Sequence, residues 1–324
     1  MTGQAPAHVV LVRPHRFHPN PLTAADNAFQ HDVTAPSDEI ARRARREVGG
    51  LAEVLTAAGV EVHIFEDEGA ATPDSVFPNN WLSTHEDGTV VLYPMCAPNR
   101  RAERRADVVT HLRERFAVRR VLDLSGYEDR SRFLEGTGAM VLDHVGRIAY
   151  ACRSRRLDPE LFALTCTELG YAPLLMDAAD RDGTPVYHTN VLMSVGSEVA
   201  VVGSEMIRDP GQRERVLGSL RGSGRDVVEI SEDQVQGFLG NCLEVSGRDG
   251  PALVMSARAA GKLSTAQRRR IERSCRILTA EVPTIEAAGG SVRCMIAGIH
   301  LPREQAPSST GMPSARITVV PQTV

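Results

Sequence analysis

Lysine is almost missing from this sequence, because Lys262 is the only lysine among 37 basic residues in a chain of 324. The 41 acidic residues slightly outnumber the basic ones, which gives a net charge of −4 and a pI of about 6.2. A chain with this balance has no basic field that would attract a polyanion. We therefore expect neither nucleic acid nor an anionic membrane surface as a partner.

Long apolar runs are missing as well. No segment approaches the roughly 18 consecutive apolar residues of a membrane-spanning helix. The opening MTGQAPAHVVLVRPHRF lacks the basic and apolar regions of a secretory signal. Together these observations predict a cytoplasmic protein.

Closely spaced cysteines are the third absence. The six cysteines are scattered along the chain and include no Cys-x-x-Cys pair. In a reducing compartment we expect free thiols, and neither a disulfide framework nor a zinc site. Aromatic residues make up only 4% of the chain, yet the hydrophobic content of 42% is ordinary for a globular protein with a real core.

What the sequence does contain is an internal repeat. Each unit has a short apolar strand, a turn with glycine, a second strand, an amphipathic helix and a third strand. Asp158, Asp209 and Ser264 are placed to cap three of the helices. The predicted third strands are RRVLDLS, YAPLLMD, RDVVEIS and TAEVPTI.

The period of this repeat is nearly constant. Glu135, His188, Asn241 and Cys294 follow one another at 53 residues (188 − 135, 241 − 188 and 294 − 241), and Asn80 stands 135 − 80 = 55 residues earlier. Length alone would allow about two domains, but such a repeat predicts radial packing in one. The expected fold is α/β, a five-bladed pseudosymmetric ββαβ propeller formed by residues 1–324 as a single domain.

We expect the repeat units at residues 70–125, 126–178, 179–230, 231–286 and 287–324. The last unit is incomplete at its C-terminal end. The N-terminal strand HVVLVR is predicted to complete it and to close the ring.

Equivalent positions of a radial array lie at one level around its axis. The residues at this level are Asn79 or Asn80, Glu135, His188, Asn241 and Cys294. A carboxylate, an imidazole and a thiol together are typical of a nucleophile with an adjacent base. Alone, Cys294 would be interpreted as a buried hydrophobic residue of a strand, but its register favours a nucleophile. Cys242 is the rival thiol and has no evident charged partner, so we interpret it as structural.

In this order and spacing, several motifs resemble the guanidino-group-modifying, or pentein, superfamily. They are PDSVFPNNW, NRRAER, LEGTGAMVL, RSRRLD, YHTNVLMS, GNCLEV and VRCMIAG. The superfamily contains arginine deiminases, dimethylarginine hydrolases and amidinotransferases, and the resemblance covers nearly the whole chain. VRPHRFHPNPLTAADNAFQ and FPNNW are most similar to its citrulline-hydrolysing branch. The resemblance implies the pentein fold and an enzyme without cofactor or metal.

The resemblance also implies catalytic roles. Cys294 matches the nucleophile, His188 the general acid/base and Glu135 the carboxylate beside that histidine. A thiol needs a cationic neighbour to become a thiolate near neutral pH. Glu135 would orient His188 and keep its pKa high. Arg293 is a second cation, but alternation along a strand would direct it away from Cys294.

Three further residues match substrate-binding positions of the superfamily. Asp74 matches an aspartate that binds the reacting end of the substrate, and Arg100 and Arg155 match arginines that bind its α-carboxylate. The guanidinium fork suits a carboxylate because it donates two parallel hydrogen bonds. From the residues alone, both arginines could equally belong to solvated, arginine-rich helix starts.

Amides stand where relatives have carboxylates. Asn79 and Asn80 replace the acidic pair of a VED-like triplet of dimethylarginine hydrolases, and Asn190 replaces an aspartate of arginine deiminases. An amide both donates and accepts, as a neutral ureido group requires, whereas an unpaired carboxylate is costly to bury. This favours citrulline over arginine, although Asp74 and Glu135 leave arginine open.

We therefore expect a cofactor-free, cysteine-dependent hydrolase that converts citrulline to ornithine, carbon dioxide and ammonia. Alternatives are hydrolysis of arginine or dimethylarginine, amidino transfer, and a non-catalytic protein that binds an amino acid. The stretch around Asn20, Asp26, Asn27 and Phe29 is either a surface loop or a lid, and REQAPSSTGMPSARI is a second loop near the site. A homo-oligomer is compatible with this sequence.

Overall fold

The computed structural model of the chain describes residues 3–31, 33–303 and 317–320. Its strands are β1 (His8–Pro14), β2 (Glu61–Asp67), β3 (Leu82–Thr84), β4 (Thr89–Leu92), β5 (Arg120–Asp123), β6 (Met140–Asp143), β7 (Ile148–Cys152), β8 (Ala172–Met176), β9 (Met193–Val195), β10 (Val199–Val202), β11 (Asp226–Glu229), β12 (Leu243–Gly247), β13 (Gly250–Ser256), β14 (Arg276–Ala280), β15 (Ala297–Ile299) and β16 (Ile317–Val320).

The helices fall into a long class that packs on the sheets and a class of single turns. They are α1 (Ser37–Ala57), α2 (Ala106–Arg115), α3 (Gly136–Ala139), α4 (Pro159–Leu169), α5 (Thr189–Leu192), α6 (Pro210–Gly222), α7 (Glu232–Gln236), α8 (Ala257–Lys262), α9 (Thr265–Ile271), α10 (Pro283–Glu286) and α11 (Val292–Met295). Four 3₁₀ turns cover Pro78–Asn80, Pro98–Glu103, Ser125–Arg130 and Ser204–Met206.

The strands form five separate sheets that share one pattern. In four of them two consecutive strands pair antiparallel, and a helical connection leads to a third strand that pairs parallel with the second. These sheets are β3-β4-β5, β6-β7-β8, β9-β10-β11 and β12-β13-β14. The ββαβ unit predicted from the repeat is confirmed.

The fifth sheet joins the two ends of the chain in the order β15-β1-β2-β16. β15 pairs antiparallel with β1, with His8 opposite Ile299, and β1 pairs parallel with β2. Helix α1 connects β1 to β2, so the N-terminal segment supplies the last three elements of this ββαβ unit. β16 adds a further parallel strand beside β2.

The first strand of every sheet lines one central cavity. Its walls include one residue from each of these strands, namely Leu82, Leu142, Val195, Leu243 and Gly298. Five inner strands that share one cavity must surround a common axis. The fold is thus the five-bladed pseudosymmetric α/β propeller.

Helix starts follow the sequence signals. The side chains of Asp158, Asp209 and Ser264 each accept a backbone N–H three residues ahead, at the starts of α4, α6 and α9. One predicted strand is mostly wrong: only the first two residues of TAEVPTI belong to β14, which ends at Ala280, and the last three belong to α10. Pro283 is the first residue of that helix, where its missing N–H costs nothing.

Helix α1 packs one face against the fifth sheet. Its buried residues include Ile40, Ala44, Val48, Leu51 and Leu55, the spacing of an amphipathic helix. Among the described residues, no helix combines the length and the apolar character that a membrane crossing requires.

Candidate active site

A second cavity, here called the candidate-site cavity, lies where the repeat units begin. Its walls include Asp74, Asn80, Arg100, Arg156, His188 and Cys294. Most of these residues precede or occupy the short helical turns that lead into the first strands. The common register of the repeat therefore brings side chains from distant parts of the sequence to one cavity.

Cys294 belongs to the helical turn α11 and not to a strand, which corrects the interpretation of VRCMIAG. The turn is fixed because Oδ1 of Asn241 accepts the backbone N–H of Arg293 at 3.0 Å. The Arg293 side chain turns away from the candidate-site cavity, lines the central cavity and donates to the Ile296 carbonyl at 2.9 Å. Its predicted direction thus holds, although the alternation of a strand is not the reason.

Two amide groups donate to the sulfur of Cys294. Nδ2 of Asn241 lies 3.2 Å from Sγ, and Nδ2 of Asn190 lies 3.4 Å from it. Nδ2 of Asn241 also donates to the backbone carbonyl of Asn190 at 2.9 Å, which links the two residues. The sequence motifs do not identify Asn241 as a site residue, although the 53-residue period aligns it with Cys294.

His188 and Glu135 form a buried pair, with Nε2 of the imidazole 2.8 Å from Oε2 of the carboxylate. The other carboxylate oxygen accepts the backbone N–H of Cys96 at 3.0 Å. Burial raises the pKa of Glu135, but the charge of Arg156 and the hydrogen bond of His188 outweigh burial, and the net pKa lies well below its usual range. Glu135 is therefore an anion.

The net pKa of His188 is lowered, contrary to the expectation that Glu135 would keep it high. Burial lowers this pKa, and the hydrogen bond and charge of Glu135 offset only part of that effect. Arg156 and Arg100, both nearby, lower the pKa further. The imidazole is therefore neutral in the site as it stands.

The glycines of LEGTG allow the close approach of these groups. Gly136 has a φ of +44°, and a Cβ there would lie 2.5 Å from the Asn79 carbonyl oxygen. A Cβ on Gly138 would lie 2.2 Å from Nδ2 of Asn80 and 2.8 Å from Nδ1 of His188. A side chain at Gly138 would thus displace both groups.

Asp74 presents an unsatisfied carboxylate oxygen. Its Oδ2 accepts Nδ2 of Asn20 at 2.8 Å, whereas the buried Oδ1 has no hydrogen-bond partner among the described residues. Asn80 lines the cavity, and Asn79 is its neighbour in the chain. The buried Nδ2 of Asn79 has no hydrogen-bond partner among the described residues. Since a buried acceptor without a partner is costly, Oδ1 of Asp74 is suited to an N–H of a ligand.

Arg100 is buried in the cavity wall, but its fork is already engaged. Nε and Nη2 donate to the two carboxylate oxygens of Glu103 at 3.0 and 2.9 Å, and Nη1 donates to Oδ1 of Asn80 at 3.0 Å. Asp74 and Glu135 lie 3.6 Å from the same guanidinium. A substrate carboxylate could take this fork only by displacing Glu103.

The structure does not bring Arg155 into the cavity. A turn between Ser154 and Leu157 leaves Arg155 exposed and directs Arg156 inward. The Arg156 guanidinium binds both carboxylate oxygens of Asp26, at 3.0 and 2.6 Å. Its Nη1 lies 3.4 Å from Oε2 of Glu135. Arg156, and not the predicted Arg155, therefore lines the cavity, and the run RSRR contains no signal that separates them.

Residues 19–31, here called the covering segment, close one side of the cavity. Asn20 bonds to Asp74, Asp26 bonds to Arg156, and Nδ2 of Asn27 donates to the Ala288 carbonyl at 3.3 Å. Phe29 is buried with its ring 5.2 Å from that of Phe238. The stretch is thus more than a surface loop. Apart from Arg303 and Ile317, the loop REQAPSSTGMPSARI lies outside the described residues.

Cys242 lines the central cavity and not the candidate-site cavity. Its sulfur lies 2.9 Å from Oγ of Ser194, and burial raises the pKa of this thiol to about 12. A thiol with such a pKa stays protonated and is a poor nucleophile. This agrees with the structural interpretation of Cys242.

Comparison with known proteins identifies a matching family and several solved structures with a similar fold. The family model described as N,N dimethylarginine dimethylhydrolase, eukaryotic, matches residues 13–301. No curated protein sequence gives a significant match. Among solved structures, the N-terminal domain of ArgZ, an arginine dihydrolase from the ornithine-ammonia cycle in cyanobacteria, superposes with a TM-score of 0.70 at 17% identity over 91% of this chain and 98% of that one.

Two other solved structures share the fold. Unliganded AgrE gives a TM-score of 0.71 at 17% identity and covers 92% of this chain, which spans only 40% of AgrE. A dimethylarginine dimethylaminohydrolase in its adduct with S-methyl-L-thiocitrulline gives a TM-score of 0.60 at 14% identity over 90% of this chain and 99% of that one. With the family match over residues 13–301, the chain belongs to the dimethylarginine dimethylhydrolase family, within the guanidino-group-modifying pentein superfamily.

Proposed function

We propose that this protein is a cysteine-dependent hydrolase of a ureido or guanidino amino acid, with citrulline as the preferred substrate. The products are ornithine, carbon dioxide and ammonia. One observation carries the proposal: the sulfur of Cys294, with two amide donors, shares a cavity with the His188–Glu135 pair. A nucleophile, a base and an orienting carboxylate are the parts that covalent hydrolysis requires.

The reaction proceeds in two displacements at the carbon between the substrate nitrogens. Cys294 gives its proton to the neutral His188, and the sulfur bonds to that carbon. At the same time the π electrons of the C=O bond move to the ureido oxygen, or those of the C=N bond to a guanidino nitrogen. His188 then protonates the departing nitrogen as the C–N bond breaks, leaving a covalent Cys294 adduct. Water, deprotonated by His188, releases the adduct and restores the thiol.

The two nitrogens of citrulline leave in either order, and the sum is the same. If ornithine leaves first, water releases carbamate, which decomposes to carbon dioxide and ammonia. If ammonia leaves first, water releases N-carboxyornithine, which decomposes to ornithine and carbon dioxide. Glu135 holds the imidazole by its Nε2 and stabilises the imidazolium that forms after proton transfer.

The polarity of the cavity supports a neutral ureido group. Oδ1 of Asp74 accepts a substrate N–H, and the amides of Asn80 and Asn190 offer both donors and acceptors. When negative charge develops on the ureido oxygen, such amide donors can stabilise it. The same Asp74 oxygen also suits a cationic guanidinium, which makes arginine the second candidate substrate. ArgZ, whose fold this chain shares, is an arginine dihydrolase.

The substrate's α-carboxylate is assigned to Arg156. This guanidinium already binds the carboxylate of Asp26 through two nitrogens. A substrate carboxylate has the same geometry and charge, so it would replace Asp26 on the fork as the covering segment opens. Arg155, exposed on the outer side of the turn, serves as the natural control for this assignment.

The test is to incubate the protein separately with citrulline, arginine and dimethylarginine and to quantify ornithine, citrulline and ammonia. We expect ornithine from citrulline, no reaction with Cys294→Ala, and nearly full activity with the matched Cys242→Ala. Citrulline as the end product from arginine or dimethylarginine would keep the mechanism but overturn the substrate.

Ornithine from both arginine and citrulline would favour a dihydrolase. Turnover that requires an added amine acceptor would indicate amidino transfer. Binding of citrulline without turnover by the unmodified chain would identify a non-catalytic binding protein and overturn the proposal.

A further inference from the structure

Three potential metal ligands face one another on the fifth sheet, away from the proposed active site. Nδ1 of His8 on β1 lies 3.4 Å from Oε2 of Glu61, and Nε2 of His63 on β2 lies 3.6 Å from Oε1 of the same carboxylate. One ligand atom from each residue lies within 4.8 Å of the other two. His8 and Glu61 are directly opposite each other in the β1–β2 pairing.

The two imidazole nitrogens lack hydrogen bonds. Nδ1 of His8 and Nε2 of His63 are buried, and neither has a hydrogen-bond partner within the described ranges. The His63 side chain is completely buried. A buried polar atom without a partner costs about 1 to 3 kcal/mol. Two such atoms directed at one carboxylate leave room for a cation bound by all three.

Neighbouring groups hold the three side chains in position. Nδ1 of His63 lies 2.9 Å from Nε2 of His111 on α2, which orients the ring and leaves its other nitrogen facing Glu61. Nη2 of Arg303 donates to Oε2 of Glu61 at 2.6 Å, so Oε1 remains for a metal. Metal-binding histidines and carboxylates commonly have such outer hydrogen-bond partners.

The separations fit a tetrahedral ion. With bonds of about 2.0 to 2.1 Å, tetrahedral ligand atoms stand about 3.4 Å apart. Nε2 of His63 lies 3.6 Å from Oε1 of Glu61, and one atom of each of the three residues lies within 4.8 Å of the other two, so small side-chain shifts reach this geometry. Two imidazoles and one carboxylate are suitable ligands for Zn²⁺, whereas Ca²⁺ and Mg²⁺ prefer sites made of oxygen ligands alone. We propose that His8, Glu61 and His63 bind one Zn²⁺ ion, with water as the fourth ligand.

The ion would connect β1 to β2 beside the strand pair that closes the ring, in contrast to the sequence expectation of no metal.

The experiment titrates Zn²⁺ against a chelator in the full chain carrying Cys294→Ala, which removes the proposed nucleophilic thiol as a competitor. We expect one ion per chain and a rise in melting temperature with Zn²⁺. Glu61→Gln and His8→Asn, at partly exposed positions, should each weaken binding at least about tenfold, and His111→Phe about 10- to 100-fold. The exposed His31→Asn is the matched control and should bind normally.

Co²⁺ provides a spectroscopic check, because a tetrahedral N₂O₂ site gives intense visible bands that Glu61→Gln should abolish. Circular dichroism confirms that each variant is folded. No zinc binding by the parent chain overturns the proposal. Equal affinity in the parent, His8→Asn and Glu61→Gln chains also overturns it, since zinc would then lie elsewhere.

Discussion

Nδ2 of Asn241 donates to Sγ of Cys294 at 3.2 Å, across 53 residues of sequence. Oδ1 of the same side chain accepts the Arg293 N–H, so the amide cannot rotate without breaking the turn that carries the cysteine. Asn190 supplies a second donor to the sulfur. Two N–H groups, of which that of Asn241 is fixed, favour negative charge on sulfur.

Replacing the Asn241 donor should therefore impair the reaction. We expect Asn241→Ala to lower kcat/KM about 10²-fold, the usual effect of removing one preorganised donor. Asn241→Asp should be worse, because a carboxylate beside the sulfur opposes thiolate formation, and its activity should recover partly as pH rises. The measurement is kcat/KM against pH for both variants. An Asn241→Asp enzyme as active as the parent would show that this donor is irrelevant.

Adjacent arginines provide a sharp test of substrate binding. Arg156→Gln should lower kcat/KM for an amino-acid substrate at least about 100-fold, because it removes the two-nitrogen contact proposed for the substrate carboxylate and now made with the half-buried Asp26. Arg155→Gln, one residue away but exposed, should stay within about threefold of the parent, as is usual for surface changes. Steady-state kinetics with citrulline separates the two variants. Loss of activity in Arg155→Gln alone would restore the original assignment.

A methyl group at Gly138 should disturb the site. Its Cβ would lie 2.2 Å from Nδ2 of Asn80 and 2.8 Å from Nδ1 of His188, so one of these groups must move. We expect Gly138→Ala to lose about 1 to 3 kcal/mol of unfolding free energy and most of the activity. Gly126→Ala is the matched control, because no atom lies within 4 Å of its Cβ. Chemical denaturation and kcat measure both effects, and an unaffected Gly138→Ala would refute the close packing.

Stability should fall in mild acid because of buried neutral histidines. Burial lowers the pKa of His85 to about 4, with Arg147 and Arg120 adding to the effect and Asp87 opposing it. Between about pH 6.5 and 4 the unfolded chain binds a proton at His85 that the folded chain does not. The free energy of unfolding therefore decreases as the pH is lowered through this window. One such group contributes up to about 1.4 kcal/mol per pH unit within this window.

The variant His85→Phe isolates this contribution while keeping a ring against Tyr171. Its unfolding free energy should decline less steeply between pH 6.5 and 5 than that of the parent. Urea denaturation at each pH provides the values. Parallel curves of unfolding free energy against pH would mean that His85 is protonated in the folded chain over the same pH range as in the unfolded chain.

The repeat made the level of the site predictable, and tertiary contacts decided the rest. Glu135, His188 and Cys294 share a period, and any fold that respects it must bring them to one level. The helical turn α11 could not be predicted, because four residues nucleate no helix alone and Asn241 supplies the contact that holds them.

Direction and environment were also beyond the sequence. Arg155 and Arg156 have the same side chain, and only the turn at Ser154–Leu157 decides which one faces the cavity. The lowered pKa of His188 depends on how completely the fold excludes water, and no local pattern encodes that burial. The sequence leaves open whether the covering segment is a surface loop or a lid, because its bond from Asp26 to Arg156 joins residues 130 positions apart.

The pairing of His8 with Ile299 sets the order of events on the ribosome. β1 leaves the exit tunnel early, yet its inner neighbour β15 is translated only after almost the entire chain. The last sheet must wait for this distant partner, and the long loop it closes makes the step slow. Because Cys294 lies just before β15, the sulfur arrives together with the strand that completes the ring. A nascent chain that stalls before that point would have neither a finished fold nor the proposed nucleophile.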